Sequence, residues 1–283
     1  MAETELLQLT PAEFERISRF VYQRTGISLG EEKVSMLSNR LRRRLRALKL
    51  GTFEEYYQLL MSGDEEEMSH FLSAVTTNET YFFRNDKLWE YVGEQLIPAL
   101  VEEKRGSEPS LRFWSAASST GAEAYTLAIV LRETLGAVGG RNARIVASDI
   151  SEKVLSVARA GRYDAYAVSR LSPERCKSYF RHDAANDTYE LKPDVRSMVT
   201  FEFHNLRDAY RGAPFDVVFL RNVMMYFDLP MKRLVLKNVT AALRPGGYLI
   251  IGDVDPLRDG SGLRDDCDLE YVRPSVHRKP RDK

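Results

Sequence analysis

The chain has 283 residues, with 41 Lys+Arg against 41 Asp+Glu and so a formal net charge of zero. Its 43% hydrophobic and 29% charged residues are those of an ordinary globular protein, which excludes disordered and collagen-like chains. At about 100–200 residues per domain there is room for one large domain or two smaller ones. Two cysteines, Cys176 and Cys267, cannot build a disulfide framework or a four-ligand zinc site. The four histidines (His70, His182, His204, His277) are isolated in sequence and argue against a metal centre, so no metal is expected. No run reaches the roughly 18 apolar residues of a membrane span. Met1–Leu9 carries acids where a signal peptide has a basic segment and an apolar run. The reading is a reduced, cytoplasmic protein with no membrane insertion, and neutrality gives no global reason to expect nucleic acid.

Residues 1–75 read as consecutive helices. Thr10-Pro11-Ala12-Glu13 is a capping box with Pro at the first helical position, and Phe14, Ile17, Phe20 and Val21 follow at helical spacing up to Gly26. A second helix runs from about Glu32 to Leu48, Thr52 and Glu55 box the start of a third, and residues 65–75 make a fourth. Residues 76–90 link this all-α domain to the rest. From there apolar runs at Leu111–Ala116, Arg144–Ser148, Phe215–Leu220 and Tyr248–Ile251 alternate with helical stretches near 122–135, 151–159 and 229–243. Such alternation predicts an α/β domain over 91–283, its mostly parallel sheet covered on both faces. Met198–Phe203 alternates with period two and is expected to pair with Tyr189-Glu190-Leu191 across Lys192-Pro193-Asp194. This predicts a small antiparallel β subdomain inserted at about 177–204. The basic tail Arg278-Lys279-Pro280-Arg281 is expected to be disordered.

Ligands of an open α/β sheet sit outside the carboxyl ends of its strands. The first strand runs into Ser115-Ala116-Ala117-Ser118-Ser119-Thr120-Gly121, whose single glycine makes neither a dinucleotide fingerprint nor a phosphate loop. A tight turn of small residues without repeated glycines suits a nucleoside better than a pyrophosphate. Glu123 follows in the first helical turn, where spacing alone favours a capping box with Thr120. Asp149 ends the second strand and reads either as a ribose ligand or as another cap. Arg221-Asn222 puts two polar groups at a further strand end. A nucleoside without pyrophosphate on a Rossmann-like sheet points towards S-adenosylmethionine. No Gly-x-Ser-x-Gly elbow, His-Glu-x-x-His or Cys–His constellation competes.

Several longer motifs then occur in order. They are Asn39-Arg40-Leu41 through Leu48, Thr76-Thr77-Asn78-Glu79-Thr80-Tyr81-Phe82-Phe83-Arg84, and Trp114-Ser115-Ala116-Ala117 with Ser119-Thr120-Gly121. The last is Phe215-Asp216-Val217-Val218-Phe219 followed by Arg221-Asn222-Val223-Met224-Met225-Tyr226-Phe227. Together, over about residues 8–280, they resemble the chemotaxis receptor glutamate methyltransferases, the CheR family. The resemblance implies an all-α N-terminal domain and a Rossmann-like methyltransferase domain with a small antiparallel β subdomain. It also implies methyl transfer from S-adenosyl-L-methionine, leaving S-adenosyl-L-homocysteine, to glutamates of a chemoreceptor's cytoplasmic helical bundle. In that reading the linker contributes Asn78, Thr80 and Arg84 to the cofactor, Glu123 and Asp149 hold its amino-acid and ribose portions, and Ala116 lies against it. Asn205 and Leu206 flank the adenine, Arg221 and Asn222 complete the pocket, and Arg84 and Tyr226 stand by the sulfonium and incoming carboxylate. Phe82, Phe83 and Phe227 read as core.

The basic second helix sets Arg40, Arg42, Arg43, Arg44, Arg46 and Lys49 around an apolar stripe of Leu41, Leu45 and Leu48. A solvated face is the ordinary meaning of such a run. The family reading makes Arg40, Arg42, Arg43 and Arg46 the docking surface for the acidic receptor bundle. Net neutrality and the lack of interleaved exposed aromatics count against RNA. Two departures stand out: Ala122-Glu123-Ala124 where the family reads Glu-Glu-Pro, and Gly252-Asp253-Val254-Asp255 where it reads Gly-His-Ser-Glu. They motivate an alternative, a signalling adaptor of this fold with weak or no transferase activity. The segment Arg181–Asp187 lacks the glycine-containing loop that grips a receptor's C-terminal pentapeptide in some members, so the pentapeptide-independent type is expected, acting as a monomer.

Overall fold

A computed structural model of the chain describes residues 7–76, 78–104, 110–139, 142–252, 257, 262–263 and 267–281. Its N-terminal part is four helices: α1 (Pro11–Thr25), α2 (Val34–Leu48, entered by a 3-10 turn at Glu31–Lys33), α3 (Phe53–Met61) and α4 (Glu65–Val75). Both expected capping boxes form, Thr10 Oγ1 accepting from Glu13 N at 3.3 Å and Thr52 Oγ1 from Glu55 N at 3.1 Å. Phe14, Ile17, Phe20 and Val21 all face inward, as their spacing predicts.

Past the linker come α5 (Asp86–Tyr91) and α6 (Ile97–Glu103), joined by a π-helical turn, then β1 (Leu111–Ala116), α7 (Ala122–Gly139), β2 (Ala143–Asp149) and α8 (Glu152–Ala160). Next are β3 (Arg162–Tyr163), α9 (Ala165–Val168), α10 (Pro173–Tyr179), β4 (Phe180–Asp183), β5 (Thr188–Leu191) and α11 (Pro193–Arg196). The chain closes with β6 (Val199–Phe203), β7 (Phe215–Leu220), α12 (Leu229–Ala241), β8 (Leu243–Ile251), β9 (Glu270–Arg273) and β10 (Val276–Arg278).

Seven strands form the main sheet in the order β6-β2-β1-β7-β8-β10-β9, the first five mutually parallel and β10 and β9 antiparallel. Leu111 lies opposite Ala143, and Phe113 opposite Val217. From β1 the chain fills one side of the sheet with β2 and β6, then crosses to fill the other from β7. The switch point therefore lies between β1 and β7. All six residues of β7 are buried: Val217 and Phe219 join the core on one face, Val218 and Leu220 the core on the other. The second of these cores continues without a break into the N-terminal helices.

Two expectations are corrected. The small sheet has the order β3-β5-β4, so Tyr189 lies opposite His182 and Tyr163 rather than any residue of 198–203. The 198–203 stretch contributes β6, the parallel edge of the main sheet, with Val199 opposite Ile145. An edge strand with a partly wet face shows the same period-two alternation as a hairpin arm, so the pattern could not choose the partner. The basic tail is built into the fold: Lys279 Nζ donates to the Thr240 carbonyl in the last turn of α12 and to the Leu243 carbonyl just after it, while Arg278 and Arg281 pair with Glu103. Among the described residues no helix is long and apolar enough to cross a membrane, and no cluster of three or more His, Cys, Asp or Glu could hold a metal ion.

Candidate active site

Outside the carboxyl ends of β1, β2 and β7 lies a cavity of about 1180 Å³, open mouth included. Its floor is made of strand-to-loop turns held in unusual backbone conformations. Ala117, Ser119 and Asn222 have φ of 61°, 51° and 57°, a region that side chains other than glycine's rarely occupy. Gly121 (φ 84°) is needed twice over, because a Cβ there would also meet the Phe201 ring at 2.9 Å. The turn is fixed from below by Ser118 N donating to Ser148 O at 2.8 Å. Asp149 binds both flanking loops, its Oδ2 accepting from Ser119 N at 2.9 Å and its Oδ1 from Ser151 N at 3.0 Å. Burial nevertheless pushes its carboxyl above the ordinary aspartate value, because the backbone amides of Ser151, Ser119 and Ile150 do not offset desolvation.

Glu123 makes no capping hydrogen bond with Thr120 among the described residues. Its Oε2 accepts from Arg221 Nη1 at 3.0 Å and its Oε1 from Ser115 Oγ at 2.8 Å. The Arg221 side chain is 2% exposed and the Glu123 side chain 13%, so this is a buried ion pair on the cavity wall. Arg221 Nη2 then reaches the Arg84 carbonyl at 2.9 Å, which also accepts from Trp89 Nε1 at 3.1 Å. These bonds, with Ser119 Oγ on the Asn78 carbonyl and Phe83 N on Thr126 Oγ1, hold the linker across the cavity.

Asn78, Thr80, Arg84, Glu123, Asp149, Asn205, Leu206, Arg221, Asn222 and Tyr226 all line this one cavity. Ala116 does not; as the last residue of β1 it points into the core, and the turn after it (Ala117–Ser119) forms the wall instead. Asn205 acts as wall, since its Nδ2 donates to Arg24 O and its Oδ1 accepts from Arg207 N. Phe82, Phe83 and Phe227 are buried as expected, Phe227 with an edge on the cavity.

The arginines of α2 divide. Arg40 Nη1 lies 3.0–3.3 Å from the carbonyls of Ala74, Val75 and Thr76, so it closes the end of α4 rather than facing outward as expected. Free carbonyls at a helix terminus are a strong magnet for a cation. Arg44 pairs with Glu67, Arg42 is half-buried, and Arg43 and Arg46 are exposed. Sequence reasoning missed the share taken by the helical domain: Ile27, Leu29, Lys33 and Met36 also line the cavity. An antiparallel bridge between Ile27 and Phe227 brings that wall in, and nothing local in the sequence announces it. The segment Asp253-Val254-Asp255 lies outside the described residues.

A cofactor must meet the polar atoms this cavity leaves over. Ser118 Oγ, at the floor, and Arg221 Nε are buried without a protein partner, and the ionisable Asp149 sits at the tip of β2. With no glycine-rich loop for a pyrophosphate, the sheet, switch point and donor set define an S-adenosylmethionine-dependent methyltransferase. Comparison narrows this. The CheR methyltransferase all-alpha domain model matches residues 12–76, and the CheR methyltransferase SAM binding domain model matches residues 78–270. The chemotaxis protein methyltransferase of Escherichia coli (strain K12) is 37% identical over 254 residues, covering 88% of this chain and 86% of that one. Those of Vibrio parahaemolyticus (34% over 275 residues, 95% and 97%) and Pseudomonas aeruginosa (37% over 274 residues, 94% and 96%) are alike over nearly their whole length. The chain belongs to the CheR methyltransferase family.

Proposed function

We propose that this chain methylates glutamate side-chain carboxylates in the cytoplasmic helical bundle of a chemoreceptor. It is then a protein-glutamate O-methyltransferase of chemotactic signal transduction. The observation that carries the reading is the meeting of Arg84 and Tyr226 in the same cavity as Asp149 and the Glu123–Arg221 pair. When bound there, S-adenosylmethionine supplies a methyl group on a positively charged sulfur, and its acceptance by a carboxylate cancels one charge on each partner. A glutamate side chain, with an ordinary pKa of about 4.3, is already ionised at neutral pH and needs no general base. What remains for the protein is orientation and exclusion of water. Arg84 orients the incoming carboxylate through a charge-assisted hydrogen bond, and the Tyr226 phenol shapes the approach. Asp149 accepts from ribose hydroxyls, while Glu123, held by Arg221, faces the amino-acid portion. Each ester removes one negative charge from the receptor bundle and so biases its signalling equilibrium.

Arg43 and Arg46, the exposed cations of α2, support docking on an acidic bundle. The β4–β5 turn closes on itself, Asp183 accepting from Ala185 N at 3.0 Å and Asn186 Nδ2 at 2.8 Å, which supports the pentapeptide-independent type. The adaptor reading is not favoured: Ala122 and Ala124 are buried helix residues, and Glu123 between them keeps its pair with Arg221. The test is transfer of labelled methyl to a soluble cytoplasmic chemoreceptor fragment, scored before and after mild base. Base-labile label that Arg84→Ala abolishes, with S-adenosylhomocysteine still bound, is expected. Base-stable label, or none while S-adenosylhomocysteine binds normally, would overturn the assignment.

A further inference from the structure

At the mouth of the cavity three side-chain contacts and one backbone contact join Arg84, Tyr81, Tyr166 and Glu79 in a closed circuit, of which neither the cofactor site nor the docking helix accounts for Tyr166. The Arg84 guanidinium lies over the Tyr81 ring, 5.7 Å from its centroid. Tyr81 meets Tyr166 edge to face at 6.2 Å and 74°. The Tyr166 hydroxyl donates to Glu79 Oε1 at 2.6 Å, and the Glu79 carbonyl lies 3.5 Å from Arg84 Nη1. Three members belong to the linker, whereas Tyr166 comes from α9, beside the small sheet. A backbone bond from Phe82 N to Ala167 O at 2.9 Å fixes α9 against the linker.

The chemistry of this circuit turns on Glu79. It lines the same cavity as Arg84, and its own carbonyl already touches the guanidinium, yet no ion pair joins the two described side chains. A carboxylate so placed is an internal competitor for the very cation that a substrate carboxylate needs. The Tyr166 hydroxyl occupies it. That bond also holds the phenol above its ordinary range.

We propose that Tyr166 is a positioning residue: it withholds the Glu79 carboxylate from Arg84 and, through Tyr81, poses the guanidinium for the incoming substrate carboxylate. The inference rests on the reading of Arg84 as the group that orients that carboxylate. Tyr166 is 55% exposed and most of its ring is free of the core, so its substitution leaves folding intact.

The experiment uses the full chain with a soluble cytoplasmic chemoreceptor fragment, reading KM and kcat for the fragment and, by calorimetry, S-adenosylhomocysteine affinity. Tyr166→Phe keeps the ring contact with Tyr81 and frees Glu79. It is expected to raise KM about threefold to fivefold, the scale of one exposed ion pair, with S-adenosylhomocysteine affinity unchanged. Adding Glu79→Gln removes the competitor, so the double variant should return to the KM of Glu79→Gln alone. An unchanged KM in Tyr166→Phe, or a defect that persists beside Glu79→Gln, would overturn the proposal. Arg84→Ala in the same assay separates the two levels. If it leaves the fragment's KM and kcat untouched, the underlying reading of Arg84 fails. If it impairs them while Tyr166→Phe does not, only the role of Tyr166 fails.

Discussion

Glu123 separates two physical accounts of one residue, and Glu123→Gln decides between them. As a capping residue Glu123 would tolerate glutamine, which serves equally in a capping box, and Glu123→Ala would cost about 1 kcal/mol. The structure gives it a different task. The Arg221 side chain is 2% exposed, so removing its carboxylate partner strands a buried cation. Breaking a buried pair from one side costs about 3–5 kcal/mol. Water entering the adjacent cavity relieves part of that, which leaves about 2–4 kcal/mol for Glu123→Ala. Glutamine still offers a carbonyl to one of Arg221 Nη1 and Ser115 Oγ but no charge, and about 2 kcal/mol should be lost. Urea unfolding followed by circular dichroism reads this as a lower midpoint at constant slope. Because Arg221 also holds the Arg84 carbonyl, S-adenosylhomocysteine affinity should fall at least tenfold in both variants. If Glu123→Gln unfolds within about 0.5 kcal/mol of the parent and binds S-adenosylhomocysteine equally well, the buried-pair argument is wrong and the capping account stands.

Asp149 should make cofactor affinity depend on pH. Its carboxyl is raised above 3.8 by burial, so the ionised acceptor for ribose hydroxyls is lost as pH falls, starting above the usual aspartate range. Calorimetry with S-adenosylhomocysteine should show affinity weakening on acidification, and Asp149→Asn should flatten that dependence; a profile identical in both would refute it. For folding without ligand the sign reverses. A raised folded pKa favours the protonated form, so this group's contribution is fully present below its unfolded pKa and is lost as pH rises through the folded one. Gly252→Ala would place a Cβ 2.8 Å from the Asn222 backbone nitrogen, displacing a residue already at φ 57°. A loss of about 1–3 kcal/mol in urea midpoint together with weaker S-adenosylhomocysteine binding is expected; full affinity would mean that the Asn222 loop does not shape the pocket. Reversing Arg43 and Arg46 to Glu should raise KM for a receptor fragment strongly at low salt and less at high salt, with unchanged S-adenosylhomocysteine affinity. A salt-independent effect would speak against electrostatic docking.

Features governed by neighbours in sequence were legible. The two capping boxes, the helix stop at Gly26 and the buried strands β1 and β7 need no more than four or six consecutive residues to declare themselves. The acids and amides at strand ends were legible for a related reason, since an open α/β sheet fixes where its strand tips gather. Features governed by distant partners were not. By spacing alone Glu123 favours a cap, because Thr120 stands three residues before it, whereas its ion-pair partner is 98 positions away. The basic tail reads as disordered because the Glu103 carboxylate that receives Arg278 and Arg281 lies far upstream. Ile27 and Leu29 carry no local signal of the bridge between Ile27 and Phe227 that brings them to the cavity wall.

The run of arginines in α2 shows why the division matters for function. Charge alone makes Arg40, Arg43, Arg44 and Arg46 equivalent, yet contacts give them different work. Arg44 places Nε and Nη2 on Glu67 at 3.0 and 2.5 Å, and the buried Tyr56 hydroxyl donates to the same carboxylate at 2.5 Å, which locks α2 to α4. Arg40 closes the last carbonyls of α4 at Ala74–Thr76, immediately before the linker begins. At its entry the same helix supplies Lys33 and Met36 to the cavity wall, the Lys33 ammonium lying 5.6 Å from the centroid of the Tyr226 ring. Arg43 and Arg46 are the exposed arginines of α2, with Arg42 half-buried beside them. The helix proposed to meet the receptor also closes the end of α4 where the linker starts, and the linker carries Arg84. Between Arg40 and Arg84 the linker is held to the methyltransferase domain at Asn78, Phe82, Phe83 and the Arg84 carbonyl. The proposed docking face and the proposed carboxylate-orienting Arg84 are thus joined through the end of α4 and the linker, so a substitution at Arg40 is expected to register at both.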